Sequence, residues 1–318
     1  MTLQEGYDQF LTSRDSYCSD ITVKNYRHTV NYFLDYLVKQ CGGASASEID
    51  VDKISLGVMN SYSIYLKTKV RHSGNPYFKA SESVVISSRT RKDYLKDMVT
   101  FINYLYENEY ITENPTDRFK FPRVESQPIE PLTLDEVNKI DECFNLDSKL
   151  GIRNLALIHL LLDEGLRSGE VQRLKLKEIN FTENYLVIRK SKYGKGRMLP
   201  LANKSRFYLL EYFRLNGQPG DNDYVFSSNR GYPLSENAIK CVFQRLKTKS
   251  GITRIYPHLL RHTFATSFIL GGGSVELLRI YMGHSSIETT QRYLHLANNM
   301  RFLKNIYQLD ECFLKKFY

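Results

Sequence analysis

Apolar residues recur at helical spacing through the first third of the chain. At positions 22–39 Val23, Tyr26, Val30, Phe33, Leu34 and Leu37 form one stripe, while Lys24, Arg27 and Lys39 lie largely off it. The pattern predicts a packed helix with a basic outer face. A short amphipathic piece at 3–11 precedes it. Two more helices are expected at 55–70 and 89–108, the last with Tyr94, Leu95, Met98, Phe101, Ile102 and Leu105 inward. A polar stretch opened by Ser73-Gly74-Asn75-Pro76 and reaching about Ser87 is longer than a routine helix connection. Asn114-Pro115 stops the fourth helix. Three further prolines with mixed charge, up to Pro131, then read as an extended linker at 119–130.

A second domain opens at Thr133, with Glu136 three residues on as its capping partner. Positions 155–162 are apolar nearly all round and predict a buried helix, with His159 a satisfied core histidine; Arg167 follows the turn at Gly165. Strand character appears at 179–181, 185–189 and 197–201, the last two joined by a turn around Gly194-Lys195-Gly196. Helices are expected at 207–215 and 238–247. Pro257 starts another that runs to Gly271 and puts His258, Arg261 and His262 on one face. Ser274 and Gly283 bound the next. Ser285 with Glu288 then reads as a capping box opening a short helix that carries Tyr293. The tail from Met300 to Tyr318 is loosely helical and apolar. The fold class is therefore mainly α: a helical N-terminal domain, then a mixed α/β, mostly helical domain with a small antiparallel sheet.

Composition narrows the partners. The 318 residues carry 44 Lys+Arg against 35 Asp+Glu, a net charge of +9 that suits a polyanion. Five scattered cysteines, without a CxxC pair, indicate neither a zinc site nor a disulfide framework and fit a reducing cytoplasm. His258 and His262 share the i, i+4 spacing of a zinc-binding helix, but Leu259 stands where such a helix has glutamate and the cation Arg261 lies between them. No metal and no cofactor are expected. The N-terminus has no export signal, and no apolar run is long enough for a membrane span.

Five segments together carry a resemblance: Gly165-Leu166-Arg167-Ser168-Gly169-Glu170, Lys192 in the basic hairpin before Arg197, His258-Leu259-Leu260-Arg261-His262, Met282-Gly283-His284-Ser285-Ser286, and Tyr293 nine residues after His284. In that order they resemble the tyrosine recombinases of the lambda-integrase type. The resemblance implies a helical, SAM-like core-binding domain at 1–118 and a catalytic domain at 131–318, whose C-terminal helix contacts a neighbouring protomer. It implies attack of Tyr293 on a DNA phosphate, giving a 3′-phosphotyrosyl link and a free 5′ hydroxyl. Arg167 and Arg261 would clamp the phosphate, His258 accept a proton or contact the phosphate, and His284 hydrogen-bond it. Lys192 would protonate the leaving oxygen, with Lys195 the nearby alternative. Glu170 and His262 would support this set.

Partners implied are double-stranded DNA with short core recombination sites, a homo-tetramer on paired DNA, and accessory proteins, in a cytoplasmic, nucleoid-associated setting. Lys24, Arg27, Arg89, Arg91 and Lys92 are either a solvated helix face or phosphate contacts, and Lys195 and Arg197 join them as DNA-binding candidates. The biological role reads as a mobile-element integrase or a resolvase of the Xer kind. The rivals are a type IB topoisomerase-like relaxing enzyme and a catalytically silent DNA-binding module. Two departures stand out: Met282 replaces the usual leucine, and it is Lys195, not Lys192, that has glycine neighbours.

Overall fold

The computed structural model describes residues 1–70, 85–124, 129–189, 196–228, 230–294 and 297–298. The expected loop at 73–87 therefore lies largely outside the described residues, as do Lys192, Lys195 and the apolar tail. Two compact units divide the chain, Met1–Ser126 and Gln127–Tyr318.

Among the described residues the first unit is mainly helical: α1 (Leu3–Asp15), α2 (Asp20–Cys41), α3 (Leu56–Tyr65) and α4 (Ser88–Glu107). Each start has a polar cap, and at α1 Thr2 and Glu5 form a full capping box. The predicted stripes meet around Phe10, Phe33, Tyr62, Met98 and Phe101, all shielded from solvent. Phe119 still packs into this core. The third helix is shorter than the expected 55–70. After Tyr65 the backbone tightens, Lys67 and Thr68 donating to the carbonyls of Ile64 and Tyr65, and the Thr68 hydroxyl also turns onto Tyr65 O. The chain then extends so that Ile86 N donates to Lys69 O and Val70 pairs with Val85.

The second unit contains α5 (Leu134–Glu142), α6 (Lys149–Leu162), α7 (Ser168–Arg173), β1 (Ile179–Asn180), β2 (Tyr185–Ile188), β3 (Arg197–Pro200), α8 (Asn203–Asn216), α9 (Glu236–Ser250), α10 (Pro257–Leu270) and α11 (Val275–Met282). A last helical segment begins at 288. Helix α6 is buried on all sides and forms the spine against which α8 and α10 pack. His159 is completely buried within it, its two ring nitrogens meeting Asp163 and Asp141 at 2.8 Å each, which makes it a satisfied core histidine.

The strands form one antiparallel sheet in the order β1-β2-β3, with Leu186 opposite Leu199 and Ile188 opposite Arg197. Because side chains alternate along a strand, Arg197 lies on the inward face with Leu199. Among the described residues no helix is long and apolar enough to cross a membrane.

Candidate active site

The turn at Met282-Gly283-His284 gathers the polar residues of three distant segments. Gly283 ends α11 in the left-handed conformation, φ 59°. This exposes successive carbonyls to α7 and α10. Arg167 Nη2 donates to Gly283 O at 3.0 Å, and Arg261 Nη2 donates to Met282 O. Arg261 Nη1 donates to Gly165 O, so one guanidinium spans the turn after α6 and the turn after α11. Gly165 is itself left-handed, φ 64°, and a Cβ there would fall 2.3 Å from the Phe264 ring.

Glu170 orders the arginines. Its Oε2 accepts from Arg167 N at 2.9 Å and its Oε1 from Arg167 Nη1 at 3.0 Å, at the start of α7. Arg197 adds Nη1 to Oε1 at 2.9 Å and Nη2 to Oε2 at 2.7 Å, while its Nε donates to Tyr281 O at 2.6 Å. Burial alone would raise the Glu170 carboxyl, but the bonds and charge of Arg197, then those of Arg167, outweigh it and hold the group down at about 2. Arg197, a DNA-contact candidate by sequence, is thus corrected to an interior ion-pair member only 8% exposed. Its strand position, in phase with Leu199, is the cause.

Three imidazoles line the same cluster. Burial and then the charges of Arg261, Arg167 and Arg292 lower His258. His262 is pushed down to about 4 by burial and then Arg292, and His284 to about 3 by burial and then Arg261. At neutral pH all three rings are uncharged. His284 Nδ1 lies 2.8 Å from the Thr290 hydroxyl and its Nε2 3.4 Å from Arg261 Nη2. A guanidinium only donates, so Nε2 faces it as an acceptor and Nδ1–H points to Thr290.

Tyr293 is 3% exposed, its ring nearly parallel to that of His284 (11°, centroids 6.5 Å apart) and 5.3 Å from the ring of His262. Arg292 Nη2 donates to its hydroxyl oxygen at 3.2 Å. The cap of this last helical segment differs from expectation. Ser286, not Ser285, accepts from Glu288 N, at 3.2 Å, and its hydroxyl donates to Glu288 Oε2 at 2.7 Å. Arg279 donates to His284 O in the preceding turn at 3.1 Å.

The structure therefore brings Arg167, Glu170, His258, Arg261, His262, His284 and Tyr293 into one cationic cluster. Lys192 and Lys195 lie outside the described residues. Lys24 and Arg27 are exposed on α2, and Arg89, Arg91 and Lys92 lie in the first turns of α4, Arg89 approaching Asp93 at 4.0 Å. Thr290 and Arg292 were not singled out by sequence. Arg292 carried a weak signal as a cation beside the tyrosine; Thr290 carried none. On the other flank of Glu170 a cleft of about 440 Å³ is lined by Arg173, Lys175, Lys177 and Arg189 and also by Glu178, which lies 3.7 Å from Arg189.

Residues 130–300 match the Phage integrase family and residues 2–121 match the Phage integrase SAM-like domain. A tyrosine recombinase of Thermosipho africanus is 28% identical over 284 residues, 89% of this chain and 92% of the relative. The tyrosine recombinase XerC of Chlamydia muridarum is 29% identical over 248 residues, 76% of each chain. The solved Tn1549 transposon integrase in complex with a circular intermediate DNA superposes with a TM-score of 0.70 at 18% identity, covering 92% of this chain and 95% of that one. The XerH recombinase bound to palindromic difH gives 0.67 at 19% identity, with 96% and 84% covered. At those identities the structural likeness concerns the fold.

Proposed function

The chain belongs to the phage integrase family of tyrosine recombinases, and from that premise we propose that it cuts and rejoins DNA at specific sites through a 3′-phosphotyrosyl intermediate on Tyr293. One observation carries the reading: Arg167 and Arg261 are anchored on successive carbonyls of the turn that presents His284, and the Tyr293 ring lies against that histidine.

A phenol ordinarily ionises near pH 10, so its oxygen attacks at neutral pH only where its developing charge and its proton are both accommodated. A phosphodiester under attack spreads charge over its nonbridging oxygens. Two forked guanidiniums suit those oxygens better than point charges would. In the proposed step the Tyr293 Oη–P bond forms and the P–O5′ bond breaks. The phenol proton passes to neutral His258, and Lys192 on the β2–β3 hairpin protonates the leaving oxygen. On DNA His284 takes the other tautomer, gives up its contact with Arg261 and donates Nε2–H to the phosphate. Thr290 permits this because its hydroxyl can donate to Nδ1 as readily as it accepts. Glu170 and Arg197 take no part in the exchange of bonds and hold Arg167 in place.

Rejoining reverses these events with a new 5′ hydroxyl, so the ester energy is conserved and neither ATP nor metal enters. The partner is double-stranded DNA, on which four protomers would assemble around two paired duplexes. The basic outer faces of α2 and α4 would contact its phosphates. The role is that of a mobile-element integrase or of an Xer-like resolvase, and relatives named tyrosine recombinase XerC support the second.

A DNA duplex nicked beside the cleavage point traps the covalent intermediate, because the short 5′ fragment diffuses away. Capture by the native protein that vanishes in Tyr293→Phe is the expected result. Undiminished capture by that variant would remove the assignment. Capture confined to particular sequences separates a recombinase from a relaxing enzyme.

A further inference from the structure

Arg292 lies beside the nucleophile without belonging to the motif that identifies it. Adjacent residues on a helix normally point about 100° apart and do not meet. Here the guanidinium folds back: its carbon lies 5.0 Å from the centroid of the Tyr293 ring and Nη2 donates to the hydroxyl oxygen at 3.2 Å. A guanidinium can only donate, so in this bond the phenol oxygen is the acceptor and its own proton is left for a different base. The neighbouring His262 and His284 rings give the oxygen no cation of their own at neutral pH. Arg292 supplies the cation.

We propose that Arg292 is a further catalytic residue, which stabilises the negative charge that builds on Tyr293 Oη as the phenol proton departs. This rests on Tyr293 being the nucleophile. The balance of the step is unchanged: Oη–P forms, P–O5′ breaks, the phenol proton goes to an imidazole and O5′ takes one from Lys192. Arg292 keeps all its protons. Its hydrogen bond strengthens while the oxygen carries charge and weakens once that oxygen becomes an ester. Arg167 and Arg261, anchored on the turn at 282–284, are assigned to the phosphate, so the three arginines divide the work between phosphate and nucleophile.

The test compares single-turnover cleavage of the nicked duplex at saturating protein for the native chain, Arg292→Gln and Arg292→Lys. Each is made with tyrosine and with a fluorinated, more acidic tyrosine at 293. Arg292→Gln should cleave about 100-fold slower, the scale of losing one donor to a developing oxyanion, and Arg292→Lys should recover part of the rate. The fluorinated phenol needs less help, so the native-to-Gln ratio should shrink to a few-fold. A ratio the fluorinated residue leaves unchanged would reduce Arg292 to a packing or DNA contact and overturn the proposal, as would an Arg292→Gln rate within about threefold of native. Should Arg292→Gln fail to melt cooperatively, the native-to-Lys ratio with the two tyrosines decides in the same way. Capture by Tyr293→Phe would instead sink the premise, a result distinct from an inert Tyr293→Phe combined with a fast Arg292→Gln.

Discussion

Arg197 and Glu170 form a two-pronged ion pair inside the second unit, both bonds under 3 Å and both side chains almost wholly shielded. Arg167 leans on the same carboxylate from the solvent side. Glu170→Gln leaves the Arg197 charge buried without its counter-ion, and removing one partner of such a pair costs about 3–5 kcal/mol. The loss should appear as a lowered urea midpoint at pH 7. The native carboxyl is held at about 2 against an ordinary value of 4.5. Its contribution is therefore complete above pH 4.5 and lost as pH falls toward 2. Glu170→Gln should show a shallower loss of stability between pH 5 and 3 than the native chain; an identical acid slope would mean that Glu170 is not the group responsible.

Gly283 is required twice over. Its left-handed backbone is strained for any other residue by about 1 kcal/mol or more. A Cβ would also stand 3.1 Å from Arg197 Nη1 and 3.4 Å from Arg167 Nη1. Gly283→Ala should lower stability by about 1–2 kcal/mol, yet cut DNA cleavage by about tenfold or more because Arg167 loses its seat on the Gly283 carbonyl. Gly272, also left-handed at φ 94° but with open space around it, is the control. Gly272→Ala should lose stability with cleavage intact. Equal effects of the two on cleavage would show that the crowding at Gly283 does not matter.

Much of this was legible in the sequence, and the misses have physical causes. Helical stripes reported which residues of α2 and α4 face inward, because burial imposes the 3.6 period directly. The order of motif residues led to the cluster because Arg167, His258 and His284 each sit close to a turn or helix start marked by glycine or proline. Arg197 was misread as surface charge, although its alternation with Leu199 and Leu201 already put it on the apolar face; the identity of the side chain outweighed its phase. The chain beyond α3 pairs with residues 85–86, far along the sequence, a contact that no local pattern encodes. The contact of Arg292 with Tyr293 depends on a side chain folding against its helix, beyond the reach of spacing arguments.

Glu164 gives a second pH effect of opposite sign. It is buried beside Asp163, and burial first, then that neighbour's charge, pushes it up to about 8. Its carboxyl accepts from Ala202 N at 3.0 Å and meets the Ser205 hydroxyl at 2.9 Å, which also reaches Asp163 at 3.2 Å. A raised carboxyl favours the folded state while protonated, so stability falls as pH climbs from about 4.5 through 8. His159, lowered by burial but raised overall by the carboxylates of Asp141 and Asp163, adds to the fall as pH passes its elevated value. An amide matches the neutral acid, accepting from Ala202 N and donating to Ser205. Glu164→Gln should therefore match or exceed native stability at pH 8 and flatten the decline between pH 5 and 8. An undiminished decline in the variant would mean that Glu164 is already ionised in the folded protein.

Arg261→Lys separates charge from shape. The native guanidinium bridges Gly165 O and Met282 O from a position only 5% exposed, and so ties the turn after α6 to the turn after α11. Burial and then the like charge of Arg167 press its ionisation downward, and the Glu170 carboxylate offsets part of that pressure. A lysine retains one positive charge but is a point donor on a flexible stem, unable to span both carbonyls in the plane of a fork. One buried carbonyl would lose its partner, costing about 1–3 kcal/mol. Cleavage of the nicked duplex should fall about 100-fold or more, since a phosphate facing lysine meets no second aligned donor. DNA affinity should change only a few-fold, because one charge remains among many. Native cleavage in Arg261→Lys would show that positive charge alone suffices at this position. A matching collapse of affinity and cleavage would assign Arg261 to DNA binding instead of to the reacting phosphate.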